Sequence, residues 1–482
     1  MGATSFSRPT IRLGRRWTMV AALALSGCAS TAIDRNFEAT RQFGREQFAA
    51  DIRWLDTDEA RRQAQVEVDA RLAKPLSADD AVQLALAYSP AFQAMLFEGA
   101  ADTASAVQSA RLPNPVFAFE RLVRNEAGAR ELEITRTLSI SLLDLLLLPS
   151  RLRLSDYRQE AARMTVARHV VGLAGEARVA WINAVAAQQS LRYYEQVKAT
   201  ADAGAELARR MQAVGNFSKL QRAREQAFSA EAVAQFARAS QLARSTREAL
   251  VRALGLNDTQ ATQLLLPDRL PNLPQAPRDE AAAAQAAIGL RLDIQLSRAS
   301  LEFLAREQGL TRVTSFVNGF DLGGTSKSET NLARQKGYEL SLPLPIFDSG
   351  DASRSRAQAT YLAALNRTAQ VAVEASSRVR EQYGAYRTAY DVAKHYRDEI
   401  VPLRKTIAEE NVLRYNGMLI GVFELLADSR AQVESVAHAI EAQRDFWLTD
   451  AGLQASLIGF PIAPMAGSPG ASRVRSGADT ND

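Results

Sequence analysis

The chain has 482 residues, which by length alone suggests roughly two to four compact domains. Its composition argues otherwise: Ala, Arg, Gln, Glu and Leu dominate, aromatics are only 7% and glycine is modest, the make-up of long helices. The formal charge is +4, and residues 1–27 hold Arg8, Arg12, Arg15 and Arg16 with no acid, so the remainder is neutral and offers no basic face for nucleic acid.

The first element is "GRRWTMVAALALSGCAS". Arg15 and Arg16 form a positive n-region, Trp17 to Leu25 a short apolar h-region, and Leu25-Ser26-Gly27-Cys28 follows, which makes 1–27 a signal peptide. The last four residues resemble a bacterial lipobox, which implies that the thiol of Cys28 is acylated and becomes the mature N-terminus. An ordinary signal peptide with an incidental cysteine is the alternative. Ala29 follows Cys28, not Asp, which in the lipoproteins it resembles implies sorting to the outer membrane. Cys28 is the only cysteine, so no disulfide forms within the chain, and packing and assembly must hold it. No other run reaches the length of a transmembrane helix.

After an N-terminal extension (28–75), two halves can be superimposed on one another. Leu138-Ser139 matches Leu340-Ser341, Ala161-Ala162 matches Ala363-Ala364, Arg178 matches Arg380, Trp181 matches Tyr383, Tyr194 matches Tyr396 and Gly215 matches Gly417. Every pair is 202 residues apart, the mark of a duplication with repeats at 76–254 and 279–458. Each repeat is expected to hold a moderate helix (Asp79 to Ala110, with a kink at Pro90; Asp279 to Gln308), two strands, and a very long helix (Pro149 to Ala213; Asp351 to Tyr415). A turn and a return helix then follow (Ser218 to Leu254; Val422 to Leu457). Pro267, Pro271, Pro274 and Pro277 make 255–278 an extended linker. The tail 459–482 reads as disordered.

In "ELEITRTLSISLL", Leu132, Ile134, Leu138, Ile140 and Leu142 share one face with a single exception, Arg136; the other face is Glu, Thr and Ser. In "YELSLPLPIF", Tyr338, Leu340, Leu342, Leu344 and Ile346 share one face. Period two with one apolar face suits a barrel strand in a membrane; an edge strand of a soluble sheet is the alternative, since Pro343 and Pro345 cannot donate to a ladder. Partner strands are expected near Val116 to Arg124 and Val313 to Leu322. Two strands per half give four per chain, and an open sheet edge cannot remain in lipid. Two chains would supply eight strands and three would supply twelve, and only twelve leave a substantial water-filled lumen, which favours a homotrimer. The long helices, about 64 residues at ~1.5 Å each, span about 95 Å and must project from the barrel.

The order of these parts resembles the TolC-type outer-membrane efflux channels, over about residues 75–460. "YELSLPLPIFDSG" resembles that family's second strand entering its long helix; "AVGNFSKLQRAREQA" and "RYNGMLIGVFELLADSRAQ" resemble its two turns and return helices. The resemblance implies a mainly α fold with a small β part: a duplicated, trimeric twelve-strand barrel continuing into a long α-helical periplasmic barrel. It implies docking to a periplasmic adaptor and an inner-membrane pump, the resistance-nodulation-division type being one candidate class, with outer-membrane lipid around the barrel. The sequence departs in two places. Met418 stands three residues after the tip tyrosine, where the family often has glycine, and Gln221 stands where an acid is common.

The residues expected to form the docking tips are Gly215, Asn216, Phe217 and Ser218 in the first repeat, and Tyr415, Gly417, Met418, Leu419, Ile420 and Gly421 in the second. Gly417 and Gly421 are expected to let the chain reverse. Met418, Leu419, Ile420, Val422 and Phe423 exceed what a free turn needs. An entrance ring can select ions through its side chains; Glu225, Glu424 and Asp428 are the candidates, with Arg414 and Tyr415 for gate hydrogen bonds. Glu424 matches the family position where acids line the entrance. No catalytic constellation, metal cluster or phosphate cradle is evident: His169, His395 and His438 are scattered through long helices, and no cofactor is implied. The expected function is a passive exit duct of a tripartite efflux or secretion system, not an enzyme. The competing reading is a pore-less periplasmic adaptor or coiled-coil scaffold, which would need lipoyl-like β domains instead of duplicated strand pairs.

Overall fold

The computed structural model of the chain describes residues 28–126, 129–280, 291–315, 319–344 and 346–460. The expected signal peptide, residues 281–290 of the expected helix Asp279 to Gln308, and the tail from 461 lie outside those residues. In order, the elements are α1 (Cys28–Phe48), α2 (Asp58–Leu72), α3 (Ala78–Tyr88), α4 (Pro90–Ser109), β1 (Val116–Glu126), β2 (Ala129–Ser141), α5 (Leu142–Ala213), α6 (Lys219–Leu254) and α7 (Asp258–Gln263). There follow α8 (Leu292–Thr314), β3 (Asp321–Glu329), β4 (Gln335–Ser341), α9 (Asp351–His395), a π-helical turn (Tyr396–Ile400), α10 (Val401–Asn416) and α11 (Val422–Ile458).

The first helix of the repeat is two helices. Ser77 caps α3 by accepting a hydrogen bond from the Asp80 amide at 3.1 Å. Ser89 is extended, as a residue before proline prefers, and Pro90 opens α4 at its first turn. The break is locked from outside: Gly255, which ends α6 at φ +70°, lies so close that a Cβ there would come within 2.5 Å of Pro90 Cδ.

β1 to β4 form one antiparallel sheet in the order β1-β2-β3-β4. The register pairs Phe117 with Leu138, Leu138 with Gly324 and Gly324 with Tyr338. One face therefore carries Phe117, Phe119, Leu138, Ile140, Leu322, Tyr338 and Leu340, all exposed in the single chain. The other carries Thr135, Thr137, Ser139, Thr325 and most of the charge. Thr137 and Thr325 hydroxyls meet across it at 3.2 Å, and Lys327 pairs with Glu133 at 2.6 Å.

Two strands differ from expectation. β3 runs Asp321–Glu329, not Val313 to Leu322, because α8 continues to Thr314; "DLGGTSKSE" has little intrinsic strand preference and is held by ladders on both sides. β4 ends at Ser341, where Leu342 to Ile346 had been expected to continue it. Pro343 has no N–H to donate and instead packs at Gly319, where a Cβ would lie 3.1 Å from its Cγ. Pro345 lies outside the described residues.

β2 passes directly into α5, which starts at Leu142 and not at Pro149. Ser141 caps it, and its free first amides are used: Leu142 N and Leu143 N donate to Phe320 O at 2.7 and 3.3 Å. With 72 residues α5 is about 110 Å long, and α6 returns along it. No run of transmembrane-helix length was expected after residue 27, but among the described residues α5 alone carries a stretch long and apolar enough to cross a bilayer; 61% of that stretch is buried within the protein. In the second half the long helix is interrupted by the π-helical turn Tyr396–Ile400, placed where Pro402 cannot donate to a carbonyl four residues back.

The main core surrounds Trp181, buried with Leu84, Ala85, Leu250, Leu254 and Leu270. Trp181 Nε1 donates to Leu76 O at 2.7 Å, and Tyr383 OH donates to Arg278 O at 3.0 Å. Donors and acceptors are both 202 residues apart, so equivalent aromatics pin equivalent segments. The linker is not free: Leu270 and Leu273 are buried, Trp447 Nε1 donates to Pro271 O at 3.0 Å, and Tyr390 OH to Gln275 O at 3.0 Å. It also contains α7.

The N-terminal extension is a packed strap. Phe37 stacks on Trp54 with centroids 4.5 Å apart. Asp51 accepts from Arg41, Arg45 and Arg53 at 2.7 to 3.0 Å; burial pushes its carboxyl up, but these bonds outweigh burial and hold it well below the usual carboxylate range.

Candidate functional site

The far ends of the long helices form two tips. In the first, α5 stops at Ala213 and Gly215 takes φ +84°, a left-handed state that glycine enters without a Cβ penalty. Asn216 N then donates to Met211 O at 2.8 Å. Ser218 and Gln221 form a reciprocal capping box that starts α6. Gln221, where an acid had been noted as common, is thus committed to the backbone of Ser218. Phe217 is not presented at the tip: it is 8% exposed, while Asn216, Ser218, Val214 and Leu220 are exposed. Val214 and Leu220 were not singled out from sequence. Both lie within the "AVGNFSKL" stretch, and their apolar character next to a glycine turn was the available signal.

The second tip turns differently. Gly417 has φ −81° and Gly421 φ −80°, so neither uses conformational space reserved for glycine, contrary to expectation. The left-handed residue is Met418, at φ +58°. Its amide donates to Tyr415 O at 2.9 Å and that of Leu419 to Arg414 O at 2.8 Å, closing the last turn of α10. Met418 is 93% exposed. Leu413, Tyr415, Leu419 and Gly421 are also exposed, and Ile420 is half-buried.

A non-glycine residue in the left-handed region costs about 1 kcal/mol. Met418→Gly is therefore expected to raise the stability of the isolated protein, by somewhat less than 1 kcal/mol after glycine's added chain entropy. Denaturant unfolding checks this; a loss of stability would show that the Met418 side chain is already packed.

The entrance candidates divide. Glu424 and Arg414 are exposed, Glu424 in the first turn of α11, where a carboxylate is favoured by the helix dipole. Asp428 is half-buried and accepts a hydrogen bond from Asn411 Nδ2, which ties α11 to α10. Glu225 is not placed to line an entrance: it is 4% exposed and bound to Arg430 Nη2 at 2.8 Å. The Arg430 guanidinium lies 4.5 Å from the centroid of the Phe228 ring. This pair joins α6 of the first half to α11 of the second, and Tyr193 OH reinforces it by donating to Val433 O at 3.1 Å. The pairing of Arg430 with Glu225 and the tie made by Asn411 were not read from sequence; for Asn411, a polar Asn in a helix interior, where propensity disfavours it, was the only signal.

The three histidines stay apart. Burial, then Arg168, lowers the pKa of His169; His395 lies 3.3 Å from Glu399 and His438 3.4 Å from Glu441. Among the described residues no group of three or more His, Cys, Asp or Glu is placed to hold a metal.

No sequence family and no curated protein matches the chain. Solved structures do. A membrane protein from Pseudomonas aeruginosa is similar at TM-score 0.66 and 20% identity, over 79% of this chain and 93% of its own. The CmeC outer membrane channel of Campylobacter jejuni gives 0.65 at 15% identity, over 84% and 86%. The open state of the MtrE outer membrane channel of Neisseria gonorrhoeae gives 0.64 at 17% identity, over 81% and 90%. The chain has the fold of the TolC-type outer-membrane channels.

Proposed function

We propose that the protein is the outer-membrane exit duct of a tripartite efflux or secretion system. Three copies join β1 of one chain to β4 of the next and close a twelve-strand barrel, and their long helices form the periplasmic tunnel. One observation carries this reading. A sheet unpaired at both edges, apolar on one face and polar on the other, is continuous through β2 with a helix about 110 Å long. In lipid those edges must be paired, and a fold with the same architecture is found in outer membrane channels.

The chain divides into the extension 28–75, a first repeat 76–254, the linker 255–278 and a second repeat 279–458. The matched bonds Trp181 to Leu76 and Tyr383 to Arg278 support descent from one duplicated unit. Cys28 carries the lipid anchor once the signal peptide 1–27 is removed. The course of α1 supports this. Asn36 reaches Gln159 O while Phe43 and Phe48 pack by Ala167 and Val171, so α1 runs parallel to α5. Extrapolated at helical rise, Cys28 lies level with about residue 151, within about three turns of the strand junction. The tips dock a periplasmic adaptor through Met418, Leu419 and Tyr415 with Val214 and Leu220 beside them, and an inner-membrane pump supplies the energy. Glu424 and Arg414 lie at the mouth, and Glu225 with Arg430 latches the halves together behind it.

The test is purification and reconstitution. The expected product is a detergent-dependent trimer that conducts ions across planar bilayers, and a monodisperse soluble monomer would rule the duct out. Labelled palmitate should enter the wild-type chain and not Cys28→Ala; absence of label from wild type removes the anchor while leaving the duct standing.

A further inference from the structure

Arg136, the exception on the apolar face of β2, is part of a larger pattern. The register sets Arg121, Arg130, Arg136 and Lys336 on the same face as Phe117, Leu138, Tyr338 and Leu340. Arg334 joins them by donating from Nε to Ser326 Oγ at 2.9 Å, and Ser326 pairs with Arg136. Among the described residues of the four strands, this face has no carboxylate. The opposite face holds Glu120, Glu131, Glu133, Asp321, Glu329 and Glu339 against Arg124 and Lys327. The charge is sorted by sign: cations outside, acids inside. Lys327 on the inner face has a carboxylate at 2.6 Å, whereas Arg121, Arg130, Arg136 and Lys336 have none within ion-pair distance among the described residues.

Arg136 and Lys336 share a level, both opposite Ser326, while Arg121, opposite Ile134, lies two residues nearer the β1–β2 turn and Arg130, opposite Asn125, six residues nearer it. Below Arg136 and Lys336 the outer face is apolar through Phe117, Leu138, Ile140, Tyr338 and Leu340, then through exposed Leu145 and Leu146 at the start of α5. From Arg136 to Leu142 the strand descends about 20 Å, or about 15 Å at a ~40° tilt. The first turn of α5 adds about 6 Å. An apolar zone of roughly 20 Å thus lies below Arg136 and Lys336, close to the ~25 Å band of an outer-membrane barrel; above them Ile134, Leu132 and Val123 alternate with Arg121 and Arg130 on the same face. The guanidinium of Arg136 lies 6.0 Å from the Phe119 ring centroid, its stem on apolar surface.

We propose that this girdle binds the phosphate groups of an anionic membrane glycolipid in the leaflet farther from the long helices, the acyl chains lying on the apolar rows beneath. A free phosphate would use the cations and leave those rows bare; an amphiphile with a phosphorylated head uses both. The inference rests on the barrel reading above.

The experiment uses the full chain in phosphatidylcholine vesicles that contain lipid A in either its bisphosphoryl or its dephosphorylated form. Lipid A retained per protein is counted after re-extraction in mild detergent. Wild type is expected to retain on the order of tenfold more of the phosphorylated form. Arg121→Gln with Arg136→Gln and Lys336→Gln should lose that preference, while Arg121→Lys with Arg136→Lys should keep it. Equal retention of both forms by wild type, a preference that survives the three Gln substitutions, or one lost in the Lys variant overturns the inference. A chain that floats with every vesicle yet shows no preference refutes the girdle alone; a chain that floats with none refutes the barrel and the girdle together.

Discussion

Arg430→Met is expected to destabilise the tip half of the protein by about 3 kcal/mol. Glu225 is 4% exposed, and its carboxylate has been taken out of water against one guanidinium at 2.8 Å. Removing that partner leaves a buried charge uncompensated, which costs far more than the pair itself contributes. The contact over Phe228 is lost as well. The expected readout is local, because the pair joins α6 to α11 near the tips: proteolysis there should accelerate on the order of a hundredfold. Glu225→Gln in the same chain should restore most of the loss, since a neutral amide needs only hydrogen bonds. If the single substitution costs less than about 1 kcal/mol, Glu225 reaches water in the assembled protein and returns as an entrance residue.

Trp181→Ala is expected to cost about 3–5 kcal/mol. The indole is 3% exposed at the meeting point of α3, α5, α6, the linker and α11, packed with Leu84, Leu250, Leu270 and Ala451. Truncation opens a cavity between elements that cannot collapse on one another. It also leaves Leu76 O without its donor at 2.7 Å. Trp181→Phe separates the two losses: most of the bulk stays, and a cost of about 1–2 kcal/mol should remain for the unsatisfied carbonyl. Thermal unfolding of the full chain measures both. Equal effects of Ala and Phe would mean that the hydrogen bond, not the packing, holds this junction.

Periodicity made the fold legible where one period rules. The alternation in "ELEITRTLSISLL" gave β2, the constant spacing of 202 residues gave the order of elements, and Gly215 marked the first turn. It failed where a neighbour decides. β3 is "DLGGTSKSE", a strand because β2 and β4 flank it. Pro90 and Pro402 reshape their helices through amides they lack, by a clean break in one case and a π-helical turn in the other. At the tips, glycine was a sound guide once and misleading once: Gly215 is left-handed, but in the second turn Met418 takes that state between two glycines that do not need theirs. Glu225 and Arg430 are 205 residues apart, and no local pattern ties them. Arg136 read as a flaw in a strand until the register put other cations beside it.

Closure of the sheet between chains is the central claim, and disulfide trapping tests it most directly. In a Cys28→Ala background, a cysteine at Tyr338 of β4 is paired with cysteines at successive positions of β1. Within one chain β1 and β4 are separated by two strands, about 14 Å, too far for a disulfide. Oxidation of the membrane-inserted protein should therefore yield covalent trimers at one register of β1 and its same-face neighbours. Monomers at every register, or a ladder that stops at dimers, would contradict the twelve-strand barrel.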